Sequence, residues 1–587
     1  MSPGLYLLIR INRPRGMQTW EYAPEYALRT YAYIMPMAIA AKIHQAIFSF
    51  LPTAAKQQLS AILLGTASPS MLEIEDKPLL FATLRSTLAF ISCYSELRFF
   101  RSVHTALVQK PNVAHYTALA SLSAGFFHSN QAYLPSSTVM TLTRFSMASQ
   151  LKNNDAWAIG YGLLAVLAVG WPFSAVLFIT TGLYAIWKGG LELFFAGWSS
   201  NDDGSMESRL LRAKRAAKSI VYILLRTLAL ALVIHMTVEA IDFSFYGIGK
   251  RVTATWNIFV YNASSGGDEL YGVEPTSFYI KNILLNFNYV GLLGVTALPL
   301  LAKKAVIVSS WSTSFNRGVC RKPDGRSRYT MVTYFLILMP MYLWLVIVVP
   351  RPHKEERFLF PVYPMLCFGA AVVIDELTGM IMYIWEQLVC SGPMPSSRHN
   401  KVKLSIGLVL LAPSAIVSTS RSMALYHYYH APLKTYRELF HHAAMAPPGN
   451  DGAKYVCTAG EWYRYPSSFF LPPNYKLGFL KSSFSGQLPQ PFNEGGKFND
   501  VNAEELDRYV EINDCIYVVE LVPSSANASA KEGLQYMEAD EGSWELLSSH
   551  KYLDSERTPL VHRILYLPWR DKANYSQYNL YTRQPRS

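Results

Sequence analysis

Residues 329–350, YTMVTYFLILMPMYLWLVIVVP, carry no charged side chain. Neither do 157–187 or 283–302. A bilayer core of about 30 Å is crossed by about 20 apolar residues in a helix, and each of these runs meets that length. Runs 220–241, 358–374 and 404–420 are slightly shorter or hold one or two polar interruptions, and 30–51, 79–95 and 114–150 are weaker candidates. Roughly eight to twelve membrane helices are expected. Charged residues make up only 16% of the 587, against about 25% in soluble domains, and they cluster between the apolar runs. The chain reads as a polytopic α-helical membrane protein.

The formal net charge of +12 does not point to nucleic acid. The basic residues sit in short loops beside apolar runs, where a cytoplasmic-loop bias and anionic headgroups account for them, and no RNA- or DNA-binding motif is present. Near the N-terminus, LYLLI (5–9) is too short for a signal-peptide core or a spanning helix. Arg10, Arg13 and Arg15 follow at once. No cleavable signal is expected, and the first span begins near Thr30.

Charge sets the orientation. The positive-inside rule assigns four loops to the cytosol, marked by Arg98 and Arg101, by Arg209 to Lys218, by Arg317 to Arg328, and by Arg398 to Lys403. Residues 242–280, loop 351–357 and everything after Arg421 are then luminal. The sequons at Asn262, Asn527 and Asn574 all fall on that side. The chain divides into 1–29, a multi-span region 30–421, and a soluble luminal domain 422–587. In the last, KYVCTAG (454–460) and CIYVVELV (515–522) read as strands and 503–510 as helical, so an α+β domain is expected. Cys457 and Cys515 lie on those strands. An oxidising lumen allows a disulfide between them, and two buried free thiols fit the sequence equally well.

Arg351-Pro352-His353-Lys354-Glu355-Glu356-Arg357 packs six ionisable groups into one turn between two spans. Juxtamembrane Lys and Arg commonly snorkel to the interface. This loop, however, is basic on the luminal side and mixes both signs, as suits a phosphate site whose carboxylates orient the cations. With a helix resuming near His353, the residues His353, Glu356 and Arg357 would share one face. In 220–241, His235, Glu239 and Asp242 form a second stripe; ionisable groups in a span are functional candidates by default, although Glu239 and Asp242 also suit a helix emerging into water. The aromatic, glycine-rich loop 242–280 suits sugar recognition and a membrane interface alike. There is no Walker loop, GxGxxG after a strand, HExxH, Cys–His zinc pattern or GxSxG elbow. A sugar donor would therefore arrive on a lipid.

HKEERFLFPVYP (353–364) resembles the endoplasmic-reticulum mannosyltransferases that use dolichyl-phosphate mannose, and within them the alpha-1,2-mannosyltransferases of asparagine-linked glycosylation. QTWEYAPEYALRTYAYI (18–34), IDFSFYG (241–247), DELYGVEPTSFYIKNILLNFN (268–288) and EWYRYPSSFFLP (461–472) support the likeness, which runs from Gln18 onward. The resemblance implies a superfamily C glycosyltransferase fold at the endoplasmic reticulum membrane. It implies inverting transfer of mannose from dolichyl-phosphate mannose to a dolichyl-diphosphate oligosaccharide, with no cofactor and no metal. Sibling enzymes acting on glycosylphosphatidylinositol precursors or forming alpha-1,6 linkages share the pattern, as would a non-catalytic member that binds the lipid-linked sugar.

The leaving group is a phosphate already bearing charge, so basic residues can stabilise it. The acceptor hydroxyl needs one carboxylate base. His353, Lys354 and Arg357 are expected at the donor phosphate, with Arg351 in the same loop and Glu355 and Glu356 orienting them. Tyr271, Glu274 and Pro275 match the family's luminal loop and are expected to face donor or acceptor. The family's acidic D-x-D-E pattern, source of its presumed base, has no counterpart: residues 1–17 hold no Asp or Glu, Glu21 and Glu25 are poor substitutes, and Asp242 and Glu239 are weak ones. Residues 1–29 then read as the remnant of a first luminal loop. The chain as written is expected to show little or no transferase activity, and robust rescue of a strain lacking the enzyme would refute that.

Overall fold

The computed structural model describes residues 17–52, 54–56, 58, 77–191, 206–264, 270, 272–314, 325–389, 395–445, 454–464, 466–472, 474–491, 498–524, 532–540 and 544–584. The chain falls into two compact units. One is Ala89–Thr419; the other joins Met1–Leu88 to Ser420–Ser587. The first holds most of the helices of a polytopic membrane protein, and the second carries a C-terminal α+β domain.

Among the described residues five helices are long and apolar enough to cross a membrane: Leu210–Tyr246, Ser277–Lys303, Thr330–Val348, Glu356–Leu388 and Ser396–Tyr429. Each coincides with an apolar run seen in the sequence. Among the described residues, run 79–95 lies in one continuous helix, Lys77–Ala106, whereas two other runs are broken. Run 157–187 is interrupted where Gly170 adopts φ +68° and Pro172 supplies no backbone N–H. It becomes the helix Asp155–Leu163, a π turn, a 3-10 turn Pro172–Phe178 and the helix Ile179–Ile186. Run 114–150 divides into Asn112–Ala120, Ala124–Ser129 and Pro135–Leu151.

The helical unit is organised around Glu356–Leu388, in which every residue from Leu359 to Asp375 is buried. A helix apolar on all sides and covered by protein is a core element. It crosses Ser277–Ser314 at close range. A methyl built on Gly369 would stand 2.6 Å from the Gly294 carbonyl oxygen, so neither position has room for a side chain. Ser277–Ser314 also kinks at Asn288, whose φ is +46°. The Asn288 amide donates to Ser418 Oγ at 3.3 Å and the Ser414 carbonyl at 3.4 Å, which secures a backbone state that Asn tolerates better than most residues. By contrast, Val221, Leu224, Leu225, Leu228, Leu232 and Val233 of Leu210–Tyr246 are exposed, as a lipid-facing helix requires.

In the other unit, β1 (Met17–Gln18), β2 (Lys454–Thr458), β3 (Tyr475–Phe479), β4 (Gln490–Pro491), β5 (Cys515–Val522), β6 (Trp544–Leu553) and β7 (Tyr575–Arg583) make two sheets. The larger has the order β3-β2-β5-β7-β6. β2 is parallel to β3 and β5, and β7 is antiparallel to β5 and β6. The helix Ala431–Met445 packs on β6 and β7 and buries Tyr436, Leu439 and Phe440. β1 pairs with β4.

The described residues of 30–88, among them the helix Met35–Phe50 and the start of Lys77–Ala106, fall in the same compact unit as this sheet. Phe81 packs edge-on against Phe470 at 5.2 Å, and the Lys77 ammonium donates to the Leu471 carbonyl. Cys457 and Cys515, on adjacent strands, are joined as a disulfide with Cα atoms 5.8 Å apart. Segment 503–510 is not a helix. It makes one 3-10 turn, Leu506–Arg508, because Val510 N–H pairs with the Phe479 carbonyl at 2.9 Å and draws the chain along the sheet edge.

Candidate functional site

The charged loop links the helix Gly325–Val348 to a 3-10 turn, Glu356–Val362, that leads into Tyr363–Val389. No helix resumes at His353. Glu355 is extended, with φ −128° and ψ 147°, and Pro361 lies inside the turn that follows; lacking an N–H, it favours the tighter 3-10 pattern there over an α-helix. His353 and Glu356 therefore do not share a helical face. They belong to two different clusters.

The first cluster centres on Glu355. His353 Nε2 lies 3.0 Å from Glu355 Oε1, and Arg357 donates from Nη2 to the same oxygen at 2.7 Å. Arg357 Nε pairs with Oε2. Hydrogen bonding to Glu355 raises the His353 pKa above its ordinary value, against the opposing effect of burial. Burial alone would raise Glu355, but the hydrogen bonds and positive charges of His353 and Arg357 outweigh it and hold the carboxyl below its usual range. The carboxylate thus orients His353 and Arg357 side by side. Arg351 is exposed at the loop's start.

A second strand of chain braces this loop. Gly272, with φ +98°, turns its carbonyl to His353 Nδ1 at 3.1 Å; that backbone state is open to glycine and strained for a residue with a Cβ. Glu274 N–H donates to the Pro352 carbonyl at 3.1 Å. Lys354 is buried and donates to the Glu274 carbonyl at 2.8 Å and to the Arg351 carbonyl. Two of its three N–H groups therefore hold the loops together. Glu274 and Pro275 are exposed beside it. Tyr271, in the same stretch, lies outside the described residues.

The second cluster centres on Glu356. Its Oε1 is 2.7 Å from His128 Nε2 and accepts from Asn286 Nδ2 at 2.9 Å and from the Tyr363 hydroxyl at 3.4 Å. Sequence reading missed His128 and Asn286. The available signal was a histidine and an asparagine inside largely apolar segments, AGFFHSNQ and ILLNFN, where polar groups are costly unless used.

The other singled-out residues lie apart from this loop in the sequence. Glu239 accepts from Thr253 Oγ1 at 2.8 Å and lies 3.4 Å from His235 Nε2. Asp242 is fully buried on the same helix. Glu21 pairs with Arg29 at 2.6 Å. Asn262 is half-buried in the helix Ala254–Ser264 and Asn574 is exposed just ahead of β7, whereas Asn527 falls outside the described residues. Among the described residues no group of three or more His, Cys, Asp or Glu is arranged to hold a metal ion.

Residues 7–472 match the model of the Alg9-like mannosyltransferase family. The match begins ahead of Gln18, so the likeness reaches into the acid-poor stretch from which the sequence alone predicts a silent enzyme. A Mus musculus protein named alpha-1,2-mannosyltransferase ALG9 is 34% identical, over 97% of this chain and 82% of its own length. The Homo sapiens protein of that name is 33% identical, over 97% and 81%. A solved structure, ArnT from Cupriavidus metallidurans bound to undecaprenyl phosphate, overlays with a TM-score of 0.42 and 10% identity, covering 93% of this chain and 91% of that one. That likeness is too loose for anything to be carried over from it.

Proposed function

The chain belongs to the Alg9-like mannosyltransferase family, and from that premise we propose that it transfers mannose from dolichyl-phosphate mannose to a dolichyl-diphosphate-linked oligosaccharide in alpha-1,2 linkage. The reaction takes place at the endoplasmic reticulum membrane, with loop 351–357 and the sheet unit's C-terminal residues in the lumen. The Mus musculus and Homo sapiens relatives are both named for that linkage. The observation that carries the donor half is Glu355 holding His353 and Arg357 together.

In the transfer, an acceptor hydroxyl oxygen bonds to the anomeric carbon as the bond from that carbon to the phosphate oxygen breaks. The phosphate leaves with the bonding electron pair, still joined to dolichol, and the hydroxyl proton passes to a carboxylate, a role for which Asp242 and Glu239 are this chain's candidates. Charge develops on the departing phosphate, and pre-oriented cations are worth most where charge develops. His353, its pKa raised by its bond to Glu355, and Arg357 face that phosphate, with Arg351 beside them. Lys354 adds positive charge while fixing the loop, and Glu274 and Pro275, exposed beside it, meet the sugar. Glu355 aligns the cations and is not the proton acceptor.

The test is lipid-linked oligosaccharide analysis in a strain lacking the alpha-1,2 activity. Against the little or no activity expected from the acid-poor first residues stands the family match that begins at residue 7; on the reading proposed here, expression of this chain removes the intermediate that lacks alpha-1,2 mannose. Persistence of that intermediate would sink the reading, and normal glycans with corrected anchor defects would reassign the chain to glycosylphosphatidylinositol precursors.

A further inference from the structure

Arg144 is wholly buried in the helical unit, on the helix Pro135–Leu151, and none of the donor chemistry above uses it. A guanidinium away from water is costly unless its donors are met and its place is fixed for a purpose. Its fork is shared between two elements, the helix Lys77–Ala106 and the segment that ends at Asn130. Nη1 and Nη2 donate to Asn130 Oδ1 at 3.2 and 3.3 Å, and Nη1 donates to Ser92 Oγ at 2.8 Å. Glu96 supplies the counter-charge at 3.3 Å. The guanidinium carbon also sits 4.8 Å from the centre of the Phe126 ring, a distance at which cation and ring attract. Arg144 thus grips residues 126 and 130, which flank His128.

The same segment is fixed from its other side. Phe126 meets Phe287 and Tyr363 edge-on, at 5.7 and 5.9 Å, and those two meet each other at 4.5 Å. The three rings interlock three elements: Ala124–Ser129, Ser277–Ser314 and Tyr363–Val389. Gly125 lies against this triangle, where a methyl would stand 2.8 Å from Phe287. From these same elements come His128, Asn286 and the Tyr363 hydroxyl, the three groups that converge on Oε1 of Glu356. Glu356 stands between Glu355 and Arg357 in the chain.

We propose that Arg144 and His128 are positioning residues for the donor site: Arg144 fixes the segment that carries His128, His128 clamps Glu356, and the clamp sets the attitude in which Glu355 presents His353 and Arg357 to a lipid phosphate. Neither Arg144 nor His128 touches the donor. The inference rests on the function proposed above for the ligand class, a polyprenyl phosphate, and can fail separately from it.

The experiment titrates dolichyl phosphate into the purified full chain in lipid nanodiscs and, in parallel, measures mannose transfer and the thermal midpoint. His128→Ala is expected to raise the dissociation constant about tenfold, the effect of one lost charge-assisted hydrogen bond. The thermal midpoint and the acceptor KM should stay unchanged. His128→Gln, which keeps a donor to Glu356, is expected to restore binding to within about threefold of wild type. Arg144→Lys keeps the charge, loses the fork, and is expected to weaken binding in the same direction; should it unfold, the His128 pair decides. Unchanged binding by His128→Ala, or a loss that His128→Gln does not reverse, overturns the proposal. A wild-type chain that binds dolichyl phosphate and moves no mannose defeats the transfer reading instead, while the titration still decides this one.

Discussion

His353 Nε2 and Glu355 Oε1 lie 3.0 Å apart on a stretch of chain with no helix to hold them. The pairing makes donor binding depend on pH in a definite sense. The His353 pKa is raised chiefly by its bond to Glu355, so the pair's contribution is complete below the ordinary histidine value of about 6.5 and is lost as pH rises through the raised one. The Glu355 pKa is lowered, with burial outweighed by His353 and Arg357. Its contribution is complete above about 4.3 and is lost as pH falls through the lowered value. Affinity for dolichyl-phosphate mannose, a diester whose charge is fixed in this range, should hold level between those limits and decline on the alkaline side, above the ordinary histidine range. His353→Gln should bind more weakly throughout and lose the alkaline decline; an unaltered decline in that variant would assign it to another group.

Gly294 and Gly369 should not accept a side chain. Gly369→Ala places a methyl 2.6 Å from the Gly294 carbonyl oxygen, and overpacking of this kind costs about 1–3 kcal/mol. Thermal unfolding in detergent should show a lower midpoint for Gly369→Ala and none for Gly182→Ala, where a methyl meets nothing within 4 Å.

Asp375 is 1% exposed and stands 2.6 Å from Lys403 and 2.8 Å from Lys110. Removing its charge would leave Lys403, itself buried, without its carboxylate. Asp375→Asn is expected to cost about 3–5 kcal/mol, read as loss of folded protein. Asp375→Asn combined with Lys403→Met should recover part of that loss, since the two changes share one interaction.

The disulfide between Cys457 and Cys515 closes a separation of 58 residues. Loop-closure entropy puts its contribution at about 4 kcal/mol, as an upper figure. Reduction, or replacement of both residues by Ala, should lower the unfolding midpoint of the sheet unit and leave dolichyl phosphate binding nearly unchanged, because the charged loop belongs to the other unit.

The sequence showed most plainly what depends on composition over a long window. The five spanning helices were legible as apolar runs, and the strands at Lys454–Thr458 and Cys515–Val522 as β-branched, hydrophobic clusters. Breaks set by single residues were not: Gly170 and Pro172 divide a run that reads as one span. The charged loop was visible as a string of ionisable groups, but its internal pairing was not, because an extended Glu355 undoes the helical spacing from which a shared face was inferred. His128 and Asn286 stood out only as polar residues in apolar segments, and their partner was not legible. Their meaning comes from a contact across 228 and 70 residues to Glu356, and local pattern holds no record of separations that long. Lys354 drew notice for its charge, and its two carbonyl bonds add a structural task that charge alone does not disclose.

The central claim is that Glu355 sets His353 and Arg357 against the phosphate of a lipid-linked mannose donor. It is tested most directly by titrating dolichyl-phosphate mannose into the wild-type chain and into Arg357→Ala in nanodiscs, with dolichyl phosphate and GDP-mannose as competitors. Saturable binding by the wild type is expected, displaced by dolichyl phosphate and not by GDP-mannose, and weakened about tenfold or more by Arg357→Ala. Equal binding by both proteins, or displacement by GDP-mannose as readily as by dolichyl phosphate, would contradict it.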